Sequence, residues 1–153
     1  MQWLELKIPP LLVWLVFAGA MFGVAHFAPQ LSFTLTGSSA IALALAVLGG
    51  AMAFAGVIAF RNKRTTVNPF TPSASSFIVS GGPYYVSRNP MYVGLTLALA
   101  GWAVYLSNAG AALLVPGCVA YMTQYQIKPE ERALLAKFGS EFAQYMSRVR
   151  RWL

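Results

Sequence analysis

Charge is scarce in this chain, and where the chain is most apolar it is absent. Only 10% of the 153 residues are Asp, Glu, Lys or Arg, against roughly 25% in soluble domains. From Ile8 to Phe60 there is none in 53 residues, and from Asn89 to Ile127 none in 39. A soluble fold would expose large apolar patches to carry such runs, so the chain reads as an integral membrane protein. Cysteine is nearly absent too. Cys118 stands alone, which rules out a disulfide framework and a cysteine metal cluster. It reads as a small apolar residue in a membrane helix. With His26 the single histidine, no Ser-His-acid set is available and no His/Cys/carboxylate cluster suggests a metal. His26 reads as an interfacial polar group. No Gly-x-Gly-x-x-Gly follows a strand, which excludes a Rossmann nucleotide site.

What charge there is lies at the ends of the apolar runs. The net charge of +7 would suit nucleic acid, but position points elsewhere. Lys7, Arg61, Lys63, Arg64, Arg88, Lys128, Arg132 and Lys137 flank hydrophobic segments, and Arg148, Arg150 and Arg151 sit in the C-terminal tail. That is the positive-inside pattern, and it favours anionic lipid headgroups as partners rather than nucleic acid. Glu5 and Lys7 before Pro9-Pro10 and a long apolar run do not make a cleavable signal.

A spanning helix needs about 20 mostly apolar residues. Each uncharged run fits two, the second pair short, so the reading is one all-α membrane domain over 1–153 with four transmembrane helices. They fall at about 10–27, 38–60, 90–106 and 111–127. Trp3 reads as an interface anchor in a short amphipathic lead-in. Gly19-x-x-x-Gly23 and the row Ala42, Ala46, Gly50 predict close helix packing within the chain. Pro116 predicts a bend in the fourth segment. Lys128-Pro129 ends the membrane part. At about 130–150 follows an amphipathic segment with Leu134, Phe138, Phe142, Tyr145, Met146 and Val149 on one stripe. Gly139-Ser140 predicts a break in it, with Ser140 capping the second piece. Four crossings put both termini on one side. The loops on the other side, 28–37 and 107–110, hold no Lys or Arg, so the termini are expected in the cytoplasm, with the chain in a bacterial inner membrane.

Thr65 to Ser80 is the one long polar loop, and long loops in small domains are commonly functional. It leads into Gly82-Pro83-Tyr84-Tyr85 and Arg88-Asn89-Pro90-Met91-Tyr92. Gly-Pro marks a turn, Asn89 is placed to cap a helix and Pro90 suits its first position. Free backbone N–H groups at such a start suit an anion. Half of the chain's four acids stand together at Glu130-Glu131, on the same predicted membrane face. The groups that remain for chemistry are therefore Tyr84, Tyr85, Arg88, Asn89, Tyr92, Glu130, Glu131 and Arg148.

Thr65-Thr66-Val67-Asn68-Pro69, Gly82-Pro83-Tyr84 and Arg88-Asn89-Pro90-Met91-Tyr92, followed by Glu130-Glu131-x-x-Leu134, Phe138-Gly139, Tyr145 and Arg148-Val149, are similar to two ordered motifs of one superfamily. It is that of the isoprenylcysteine carboxyl methyltransferases and phospholipid methyltransferases. Asn89 stands where eukaryotic members have His, and the extra N-terminal helices of the prenylcysteine enzymes are missing. The short form resembles bacterial members. The resemblance implies S-adenosylmethionine as cofactor, bound at the cytoplasmic edge, and a lipophilic acceptor arriving through a lipid-facing tunnel. It assigns Tyr84, Asn89, Pro90, Tyr92 and Glu130 to the cofactor. Arg88 or Arg148 would hold a carboxylate acceptor, and Glu131 would serve as base for a protonated amine. A transporter and a structural membrane protein remain the other readings. A proton-coupled carrier usually needs an ionisable group within the membrane, and the predicted helices offer only His26 near one end.

Overall fold

The computed structural model describes residues 5–62 and 77–153. Trp3, Lys63, Arg64 and most of the Thr65–Ser80 loop lie outside the described residues. Among those described, the protein is helical with no named strand. Its helices are α1 (Pro10–Phe27), α2 (Ser38–Asn62), α3 (Pro90–Leu106), α4 (Ala109–Ala112), α5 (Leu114–Met122), α6 (Lys128–Phe138) and α7 (Ser140–Arg148). Short 3-10 turns cover Pro29–Leu31 and Gly82–Tyr85, and a π turn over Thr123–Ile127 joins α5 to α6.

Prolines set where these helices start. Pro10 opens α1 and Pro90 opens α3, positions whose N–H has no intrahelical partner. Both α1 and α2 are long and apolar enough to cross a membrane; α3, also apolar, is shorter. Leu12, Leu15, Val16 and Phe22 of α1 and Leu43, Val47 and Phe54 of α2 are exposed, as suits helices that are apolar all round and face hydrocarbon.

The centre of the fold is the antiparallel pair α2 and α3. Gly49 faces Gly94 so closely that a Cβ on either would stand 2.4 Å from the other's carbonyl oxygen. Ala42 meets Gly101 one end along, and Gly56 meets Met91 at the other. The buried row of α2 is thus Ala42, Gly49 and Gly56, spaced by seven. The expected row Ala42, Ala46, Gly50 is corrected: Gly50 is exposed, with nothing within 4 Å of a Cβ there. A Cβ at Gly19 or Gly23 would likewise meet nothing within 4 Å among the described residues, so the close helix approach expected there is absent among them. Helix α1 is tied to α3 instead by two indoles. Trp14 Nε1 donates to the Leu95 carbonyl at 2.7 Å and Trp102 Nε1 to that of Ala18 at 3.0 Å. Met21, Leu99, Cys118, Met122 and Ile127 fill the core between α1, α3 and α5.

Pro116 interrupts the fourth segment, as expected. It sits in the first turn of α5, and the break falls upstream at Leu113. An unbroken helix from Ala109 would need a Pro116 N–H for the Ala112 carbonyl, and proline has none. Pro129 acts differently. It cannot donate to the Tyr125 carbonyl four residues back, and its ring would crowd that oxygen. The helix widens into the π turn there, with the Lys128 N–H reaching Thr123, and continues into α6 rather than stopping at Lys128-Pro129. The freed Tyr125 carbonyl accepts from the Leu6 N–H at 3.1 Å. Gln126 Nε2 donates to the Ile8 carbonyl at 2.6 Å, and Trp152 Nε1 donates to Thr123 Oγ1 at 3.0 Å. The widened turn is therefore where the segments before α1 and after α7 are both held. Arg132 of α6 adds an ion pair to Glu5.

At the opposite end, the segments 28–37 and 107–110 meet. Asn108 is fully buried; its Nδ2 donates to the Ala28 carbonyl and Ser32 Oγ, and its Oδ1 caps α4 by accepting from Ala111. Helix α6 stops at Gly139, whose φ of +53° suits a residue without a Cβ. Ser140 is the first residue of α7 and not its cap; no side chain caps that helix. Phe142 and Val149 of the expected stripe are buried, and Leu134, Phe138, Tyr145 and Met146 partly so.

Candidate active site

The polar groups converge where the turn before α3, the first turn of α6 and the segment after α7 meet. Residue Asn89 takes the cap position of α3, but its side chain does not cap. Its Nδ2 donates to the Arg151 carbonyl at 2.9 Å, while its backbone N–H donates to Ser87 Oγ. Ser87 is fully buried, and its hydroxyl donates to the same Arg151 carbonyl. The Arg88 N–H donates to the Arg150 carbonyl at 2.9 Å. After Arg148 the chain leaves helical geometry at Val149, so 149–151 run alongside 87–89.

Arg88 is buried and all of its nitrogens are engaged. Nε and Nη2 donate to Glu131 Oε1 at 3.2 and 2.6 Å, and Nη1 donates to the Met146 and Val149 carbonyls at 3.0 and 2.6 Å. Arg151 completes the ring, its Nε reaching both Glu131 oxygens at 3.1 Å and Nη2 reaching Oε2 at 2.6 Å. Burial works to raise the Glu131 pKa, but hydrogen bonds from Arg151 and Arg88, with their charges, outweigh it and hold it below the ordinary 4.5. Bonding to Glu131 raises Arg151 in turn. Such a carboxylate is a poor base, and the Arg88 charge is already paired with it, with four of the five guanidinium N–H groups spent on Glu131 and two backbone carbonyls. Arg148 is exposed and joins none of these contacts. Arg151 holds the position at Glu131 that suits a C-terminal arginine. In the sequence it looked like one more cation of a basic tail; its signal was only its place after the extended turn at Val149.

Glu130, one residue away, lives differently. The Tyr92 hydroxyl donates to its Oε1 at 2.5 Å. Burial, and to a lesser extent the charge of Glu131, push its pKa up to about 8, against the lowering effect of the Tyr92 bond. Tyr84 is buried, and among the described residues its hydroxyl has no hydrogen-bond partner. Its ring lies edge-on to Phe60 at 5.4 Å, and its carbonyl accepts from the Tyr145 hydroxyl at 2.8 Å. Burial, then the Tyr145 and Glu130 charges, push the Tyr84 phenol well up. Burial also pushes Tyr145 up to about 12. Tyr85 is exposed, outside the cluster, and Pro90 is buried with its ring against Gly56. Of the residues singled out in the sequence, Tyr84, Tyr92 and Glu130 thus gather with chemistry uncommitted. Arg88, Asn89 and Glu131 gather too, but in bonds to the chain itself.

Glu130 has a direct test. Its folded pKa lies above the ordinary 4.5, so the folded state holds the proton more tightly, and stability falls as pH rises from 4.5 to about 8. Glu131 has the opposite sign. Its contribution is complete above 4.5 and is lost only at lower pH, so it does not offset Glu130 in that window. The melting temperature in detergent is expected to fall across the window in the wild type and to stay level in Glu130→Gln. Parallel profiles for the two proteins would contradict the raised carboxyl.

An orphaned phenol, a phenol–carboxyl pair and a closed arginine ring at one end of a lipid-exposed helical bundle define a membrane protein with a small polar site at its edge. The family model of the phospholipid methyltransferases matches residues 38–141 of the 153. The chain belongs to that family. An uncharacterized protein of Haemophilus influenzae is 43% identical over 59 residues, which is 39% of this chain and 94% of that relative. No solved structure matches the chain. Membership makes it a methyltransferase with a lipid-related substrate, and with its apolar helices a membrane protein.

Proposed function

We propose that the protein is an S-adenosylmethionine-dependent methyltransferase whose single domain acts on a lipophilic amine at the cytoplasmic membrane face. The observation that carries this reading is the Tyr92–Glu130 pair beside a Tyr84 hydroxyl that has no partner among the described residues, with buried Arg88 and half-buried Arg151 both spent on Glu131. The fit to the cofactor rests on the same atoms. A polar ligand would satisfy a buried hydroxyl that has no partner among the described residues, and an acid flanked by phenols suits an ammonium group. Tyr84, Tyr92 and Glu130 would hold it, with Asn89 and Pro90 fixing the backbone beside them. S-adenosylmethionine, when bound, supplies an electrophilic methyl group on a sulfonium.

A protonated amine must lose a proton before its lone pair is free. Glu130, at about 8, is matched to take that proton near neutral pH. The base role assigned to Glu131 from the sequence therefore passes to Glu130. A carboxylate acceptor would instead need a free cation, and neither Arg88 nor exposed Arg148 offers one inside the cluster. The apolar surround contributes by alignment and by excluding water from the separated charges.

The four-crossing topology belongs to this reading. Segments 28–37 and 107–110 meet at the end away from the cluster, which fits four passages and two cytoplasmic termini. Cysteines placed at Thr36 and Ser80 in a Cys118→Ser background are expected to label from opposite sides of inner-membrane vesicles. Labelling from one side would sink the topology.

The deciding experiment for activity is calorimetry of the purified protein with S-adenosylhomocysteine, followed by methyl transfer from labelled cofactor to amino-lipids and to acidic lipids. Glu130→Gln is expected to weaken binding roughly ten- to a hundredfold, the value of one charge-assisted hydrogen bond. No heat with the wild type, or label entering acidic lipids alone, would overturn the proposal.

A further inference from the structure

The residue nearest the chain's end in the cluster is also the one no motif pointed to. Arg151 contributes twice. Its guanidinium forks onto Glu131 at 2.6 Å from Nη2 to Oε2, and its carbonyl accepts from Ser87 Oγ and Asn89 Nδ2. One residue thus bonds the first turn of α6 through its side chain and the start of α3 through its backbone. Those two turns carry the Glu130 and Tyr92 side chains that meet at 2.5 Å. We propose that Arg151 is a positioning residue for the Glu130–Tyr92 pair, neutralising Glu131 through its second oxygen so that α6 is locked against α3 and no bare charge stands beside Glu130. The role in turnover rests on the methyltransferase reading above; the electrostatic role does not.

Among the described residues, the groups around Glu130 are few. Tyr92 faces it from α3, Tyr84 from the preceding 3-10 turn, and Glu131 from its own turn, with Arg88 and Arg151 beyond Glu131 and Tyr145 of α7 behind Tyr84. Of the three that face Glu130, Glu131 alone is an acid whose charge depends on partners that a single substitution removes. Without Arg151, Glu131 keeps Arg88 and loses the cation that reaches both its oxygens. A like charge less fully masked makes the neighbouring carboxyl harder to ionise. Arg88 cannot take over, because its Nη1 is held by the Met146 and Val149 carbonyls.

The test follows the protonated-carboxyl stretch of Glu130 by infrared spectroscopy against pH, the band assigned by its loss in Glu130→Gln. It needs no substrate. Arg151→Ala is expected to move the midpoint up by roughly one unit, and Arg151→Lys, which keeps the charge, to stay close to wild type. In a Glu131→Gln background the Arg151→Ala change should leave the midpoint where Glu131→Gln alone puts it. A wild-type midpoint in folded Arg151→Ala would overturn the proposal. If Arg151→Ala does not fold, the comparison of Glu131→Gln with Glu131→Gln/Arg151→Ala decides: equal midpoints support the proposal and different midpoints overturn it. S-adenosylhomocysteine affinity, measured alongside, should fall several-fold in Arg151→Ala and recover in Arg151→Lys. No binding by the wild type would remove the methyltransferase reading, with the infrared midpoints still deciding the place of Arg151.

Discussion

Gly94→Val should give a protein that cannot bring α2 and α3 together. A Cβ at Gly94 stands 2.4 Å from the Gly49 carbonyl oxygen and 2.8 Å from both the backbone nitrogen and the Cβ of Ala53. None of these is the movable end of a long side chain, so the helices must separate. Overpacking of this kind costs roughly 3 kcal/mol, a large share of the stability of a small domain. The comparison that makes the test specific is Gly50→Val, one residue from Gly49 on the neighbouring helix. Nothing lies within 4 Å there, and valine is a slightly better helix residue than glycine. Thermal unfolding in detergent, followed by tryptophan fluorescence, should show a sharp loss for the first and no loss for the second. Equal stability of the two would mean that α2 and α3 do not meet through Gly49 and Gly94.

Arg88→Ala should be nearly as damaging, and for an electrostatic reason. It leaves Glu131 buried with one cation instead of two and strips the Met146 and Val149 carbonyls of their donor. Breaking a buried pair from one side costs about 3 kcal/mol, because the charge left behind has lost its solvent and its partner. Arg151 stays on Glu131, which argues for the lower end of that cost. Arg88→Lys is expected to rescue little, since a point charge cannot serve a carboxylate and two carbonyls at once. Removing both charges in Arg88→Ala/Glu131→Gln should be less harmful than Arg88→Ala alone. Full stability of Arg88→Ala would return Arg88 to the pool of groups free to bind an acceptor.

The helices were legible because lipid-facing runs leave a plain signal: no charge, a proline at the start, cations at the end. The start of α3 at Pro90 and the end of α6 at Gly139 could be read to the residue. What could not be read was relation. Ala46 and Gly50 are small like Gly49, yet Gly49 alone of the three is buried, and only the partner helix decides that. Pro116 and Pro129 look equivalent in the chain; one breaks the helix three residues upstream, the other widens it and lets it continue. The site shows the same limit. The sequence carried Tyr84, Tyr92 and Glu130 toward one another, but it could not divide the two glutamates. Glu130 and Glu131 are neighbours on a helix, about 100° apart around its axis, and so meet a phenol and a pair of arginines respectively. Arg148 and Arg151 were likewise indistinguishable until the chain was seen to straighten at Val149.

The π turn makes the site depend on counting. A π turn spends one residue more than an α turn on the same rotation. Because Pro129 would keep the turn wide, deleting a single residue within Thr123–Ile127 would swing everything downstream by about 100° and draw it back by about 1.5 Å. Glu130 would then miss Tyr92, Glu131 would miss its arginines, and both chain ends would lose their moorings, with every side chain of the cluster still present. Chains of this type are therefore better compared by the length of the stretch between Cys118 and Glu130 than by the letters within it. A one-residue gap there should abolish what many substitutions would only weaken.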